Sequence, residues 1–101
     1  MYYTINIYEE DSLLQSISSD FFNLNIQKQD GVPYSVFRLK TDINTAVNCI
    51  NQLLLKLESP LTIELMINEN TVLTYQSKLL ENVSIDGVTE SNGINISFRM
   101  D

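Results

Sequence analysis

The chain has 101 residues, 44% of them hydrophobic, with 6 basic and 13 acidic side chains, a formal net charge of −7 and no histidine. That length and apolar content exclude a disordered chain and suit one globular domain over residues 1–101. The acidity opposes nucleic acid and anionic membrane, and the missing histidine removes the side chain best suited to proton transfer near neutral pH.

In chain order, Tyr3, Ile5 and Ile7 alternate with Tyr2, Thr4, Asn6 and Tyr8, a period of two that predicts a strand over 2–8. Glu9-Glu10-Asp11 ends it. Ser12 and Gln15 then have the spacing of a capping box, which predicts a short helix over about 12–20 carrying Leu13, Leu14 and Ile17 inward. Phe22, Leu24 and Ile26 alternate with Asn23, Asn25 and Gln27, a second strand. Asp30-Gly31 is a turn dipeptide, and a third strand over 34–39 completes a hairpin, with Pro33 at its start.

The clearest element is a helix over about 42–58. Ile43, Ala46, Val47, Ile50, Leu53, Leu54 and Leu57 fall on one side of it, with Thr41 or Asp42 as N-cap and Ser59-Pro60 as the stop. Leu61, Ile63, Leu65 and Ile67 alternate next, Glu69-Asn70 suits a tight turn, and Thr71–Gln76 returns as a strand. Ser77–Glu81 is ambiguous between a helical turn and strand entry. Asp86-Gly87 and Ser91-Asn92-Gly93 are further turn signals, and Ile94, Ile96, Phe98 and Met100 mark a last strand. No repeat stands out. The fold class is therefore α+β: a mostly antiparallel sheet of five to six strands packed against the 42–58 helix, with the short second helix at 12–20.

Familiar chemistries find little to work with. One cysteine and no histidine leave neither a Ser–His or Cys–His dyad nor an ordinary zinc site. Gly31, Gly87 and Gly93 stand in turn contexts rather than a phosphate loop. Cys49, in mid-helix, reads as a small buried hydrophobe. Its lack of a partner cysteine makes the fold independent of an oxidising compartment, and the simplest location is the cytoplasm of a host cell. Glu9, Glu10 and Asp11 form an acidic run, with Tyr2 and Tyr8 on the strand face opposite the isoleucines.

These features predict a non-enzyme with no catalytic residue, metal or cofactor. The expected role is a small acidic protein-binding module of the inhibitor, antagonist or immunity type, suited to a phage or mobile element. It would dock on a basic protein surface through Tyr2, Tyr8, Glu9, Glu10 and Asp11, without contacting nucleic acid or membrane directly. The alternative is an assembly component, such as a small virion subunit, that self-associates as a homo-oligomer through exposed strand edges.

Overall fold

The computed structural model describes residues 2–76, 79–88 and 93–101. Among them the chain forms β1 (Tyr3–Glu9), β2 (Ser12–Ser19), β3 (Phe22–Gln29), β4 (Val32–Thr41), α1 (Ile43–Leu54), β5 (Thr62–Ile67), β6 (Asn70–Gln76), β7 (Leu80–Val88) and β8 (Ile94–Met100). The α+β class holds, but the strands do not form one sheet. They form two antiparallel four-stranded sheets, β2-β1-β5-β6 and β3-β4-β8-β7. Geometry explains why. A 12-residue helix is about 18 Å long, whereas eight paired strands would span about 34 Å. One helix cannot cover that width, so the apolar face of each sheet covers the other.

The second correction concerns residues 12–20, which are β2 and not a helix. Ser16, Ser18 and Ser19 are weak helix formers, and a two-residue turn at Glu10-Asp11 folds the segment back on β1, pairing Ile17 with Ile5. Gln15 makes no capping box; its amide donates instead to Gln52 of α1. Asp30-Gly31 is the turn expected, with φ of 52° and 80°. The β5–β6 turn falls one residue earlier than expected, at Asn68-Glu69, where φ is 50° and 69°. Asp86-Gly87 makes no turn: it lies within β7, where the register with β8 shifts. Ser77, Lys78, Ser91 and Asn92 lie outside the described residues. Pro33 sits in β4 beyond Ser35, where pairing with β8 stops, so its missing N–H breaks no bond to β8.

The sheets cross steeply. The Ser19 hydroxyl at the end of β2 bonds the main chain of Lys40 at 2.6 and 3.2 Å. The Ser35 hydroxyl donates to Tyr75 of β6 at 2.9 Å. β2 and β6 are opposite edges of their sheet, so β4 runs across it from edge to edge. The five residue steps from Ser35 to Lys40 span about 17 Å, close to the roughly 14 Å across four strands. One apolar core lies between the layers. Ile5, Ile7, Ile63 and Leu65 face Phe37, Leu39, Ile96, Phe98 and Met100, all buried.

α1 starts at Asp42, whose carboxylate accepts from the Thr45 amide at 2.8 Å and from the Thr45 hydroxyl at 2.8 Å. These bonds, the backbone one foremost, hold the Asp42 carboxyl below the ordinary range. An ionised cap favours the folded state above the unfolded pKa, and that help is lost as pH falls through the lowered folded value. We expect Asp42→Asn, which caps without charge, to melt with a shallower dependence on pH than the wild type from about pH 4 downward.

The helix ends earlier than the expected 58. Leu55 caps it, and Glu58 takes a left-handed φ of 67° before Pro60. It buries only Ala46, Cys49 and Leu53, with Ile50 half-buried. Leu53→Ala should cost about 2–5 kcal/mol in denaturant unfolding. An unchanged midpoint would contradict its place in the core, where it is 1% exposed.

Candidate functional site

The residues singled out in the sequence fall in three places. Tyr2 precedes β1 and is exposed. Tyr8 stands six residues further along extended chain, about 20 Å away, so one small contact does not gather both. Tyr8 is half-buried on the outer face of its sheet, and its hydroxyl donates to Glu64 at 3.4 Å. Burial, then the Glu64 charge and this bond, push that hydroxyl up. Glu9 ends β1, and Glu10-Asp11 form the β1–β2 turn. Glu9 accepts from the Lys56 ammonium at 2.8 Å, which fixes the acidic turn beside the C-terminal end of α1.

Around Tyr8 lies a polar network that sequence reading missed. Asn6 donates to Glu64 at 2.9 Å and accepts from Ser16 at 2.6 Å, while Thr71 reaches the other Glu64 oxygen at 3.3 Å. One carboxylate with three donors clasps β1, β5 and β6, and Ser16 extends the network to β2. Among the described residues, no three Cys, Asp or Glu side chains gather closely enough to hold a metal ion.

A cavity of about 420 Å³ opens by the N-terminal end of α1, lined by Tyr2, Asp20, Lys40 and Asp42. Its cation is already engaged, Lys40 to Asp20 at 3.3 Å. The Asp42 carboxylate holds the Thr45 amide, which opposes an anion there. Cys49 lies under the helix at 0% exposure, and burial pushes its thiol up to about 12. We expect it to resist thiol reagents in the native protein and to react once denaturant opens the fold. Rapid native labelling would contradict its burial.

What stands out is the outer side of α1. Ile43 is 60% exposed, Val47 44%, Leu54 46% and Leu55 84%. At about 100° per residue, Ile43, Val47 and Leu54 fall within about 40° of one another. They form a stripe along the flank opposite Gln52. Gln52 faces β2, so the stripe faces β7, whose Ile85 is 52% exposed. The apolar side of the helix expected to pack on the sheet is thus only partly buried, and Ile43, Val47, Leu54 and Leu57 stay exposed. The apolar arc of the helix is about 120° wide, and the crossed sheets accept only part of it.

Acid stands at both ends of this stripe. Asp42 is exposed at the start of the helix; Glu58 is exposed past its finish, where Lys56 also holds Glu9. An arc of about 120° is ordinary for a helix packed on a core, so the spacing alone did not signal that part of it stays exposed. No protein-family model, curated protein or solved structure matches the chain.

Proposed function

We propose that this chain is a non-enzymatic protein-binding module whose α1 stripe docks on a basic protein surface, as an inhibitor, antagonist or immunity protein would. The observation that carries this reading is the exposed row Ile43, Val47 and Leu54 with carboxylates at both of its ends. Apolar area of this kind supplies affinity by leaving water. The acidic rim, within a net charge of −7, selects and steers a cationic partner. Of the residues picked from the sequence, Glu9 is tied by Lys56 to the C-terminal end of α1, and Glu10 and Asp11 follow it in the β1–β2 turn. Tyr2 and Tyr8 lie apart from the stripe.

The test is paired capture from host lysate with wild-type chain and with Val47→Asp/Leu54→Asp as baits. A basic protein held by the first, lost from the second and released by salt supports the reading. Equal capture by both baits, or binding indifferent to salt, opposes it. Concentration-dependent growth of the purified chain into a defined oligomer would favour the assembly role instead.

A further inference from the structure

Strand order and register carry an internal two-fold. Exchange β1, β2, β3 and β4 for β5, β6, β7 and β8, and every pairing finds a counterpart. β1·β2 becomes β5·β6 and β3·β4 becomes β7·β8, while the antiparallel pairs β1·β5 and β4·β8 map onto themselves. The middle rungs name the counterparts: Ile17-Ile5-Leu65-Leu73 across one sheet, Leu24-Phe37-Phe98-Val83 across the other.

α1 breaks this symmetry. It packs against β7, β8 and β2. The counterparts of those strands are β3, β4 and β6, and among them lies a groove of about 370 Å³. Ile26, Tyr34, Ser35, Tyr75 and Asp101 line it. Ile26 pairs with Ser35 as Ile85 pairs with Ile96, and it is 72% exposed where Ile85, on the helix side, is 52% exposed. No helix among the described residues covers this side.

We propose that the groove seats an amphipathic helix of a partner protein, laid against β3, β4 and β6 as α1 is laid against β7, β8 and β2. Its walls are already set. The Tyr75 hydroxyl accepts from Ser35 at 2.9 Å and donates to the Asp101 carbonyl at 3.2 Å. The Tyr34 hydroxyl donates to Gln27 at 2.7 Å, and the Arg99 guanidinium lies 3.8 Å from its ring centroid. With the polar tips held, a helix meets apolar ring and isoleucine surface at little ordering cost. By analogy with Ala46, Cys49 and Leu53, the buried face of that helix carries small and medium apolar residues. A second copy also bears −7 and is repelled, so the helix comes from a less acidic protein. This surface is separate from the α1 stripe and stands or falls without it.

The probe is a peptide of residues 42–57 of this chain with Asn44→Lys, Asn48→Lys, Asn51→Lys and Cys49→Ala, titrated into the full chain and followed by amide NMR. Saturable shifts at Ile26, Ser35 and Tyr75 are expected. Ile26→Asp should weaken binding about tenfold or more with its melting temperature held. Val47→Asp/Leu54→Asp in the full chain should leave peptide binding unchanged, which separates this test from that of the stripe. No saturable shift, or shifts centred on α1 and β7, would overturn the proposal. So would an oligomer of the free chain that Ile26→Asp dissolves, which would give the groove to a second copy.

Discussion

Phe37→Ala should lower the unfolding free energy by about 3–5 kcal/mol and the melting temperature by about 15–30 °C. Phe37 is 0% exposed and sits in β4, the strand that crosses the whole opposing sheet. Its ring meets Phe22 at 6.2 Å and Tyr75 edge-on at 5.1 Å, and it pairs across the strands with Leu24 and Phe98. Truncation leaves a void bordered by both sheets and by β3 and β6, so no single side chain can move to fill it. Phe37→Leu keeps most of the volume and should cost clearly less, on the order of 1–2 kcal/mol. Urea unfolding of the three proteins checks both values. Equal stability of wild type and Phe37→Ala would mean that the sheets do not pack through this ring.

Val47→Asp/Leu54→Asp should behave in the opposite way. Both positions are more than two-fifths exposed, so the fold should melt within a few degrees of the wild type. Binding to a basic partner should weaken by about 2 kcal/mol or more, roughly thirtyfold, if the stripe is the anchor. Two added carboxylates on an already acidic surface do not repel a cation, so a loss of affinity reports lost apolar contact and not lost charge. Glu10→Gln/Asp11→Gln provides the complement. It should slow association and flatten its salt dependence while changing the dissociation rate little. Asymmetry between the two pairs of variants is the signature of an apolar anchor within an acidic rim.

Much of the β structure was legible because local chemistry and burial agree there. Ile94, Ile96, Phe98 and Met100 alternate over the whole of β8 and are all buried. Asp30-Gly31 fixes its hairpin because both residues accept positive φ. β2 was hidden because Ser12, Leu13, Leu14 and Gln15 imitate a helix start, and only pairing with β1 decides the segment. The division into two sheets was not legible either. A period of two says which residues face inward and is silent on which strand lies alongside.

The residues singled out in the sequence lie on β1 and its turn, whereas the surface proposed for docking lies on α1. Tyr2 and Tyr8 drew attention as aromatic residues on an outer strand face, yet Tyr8 is tied to Glu64 and Tyr2 lies at the far end of β1. The α1 residues looked like core because their spacing is helical. How much of that arc the sheets accept depends on long-range packing, which one helix does not encode. Lys56 joins the two parts, since its bond to Glu9 sets the acidic turn against the end of the helix. No sequence spacing foretells a contact across 47 residues.

Association kinetics with a basic protein captured by the wild-type bait, measured over a series of salt concentrations for wild type and Val47→Asp/Leu54→Asp, test the proposed docking surface most directly. The wild type should associate more slowly as salt rises, and the variant should lose its complex mainly through faster dissociation. A variant that dissociates at the wild-type rate would place the contact somewhere other than α1.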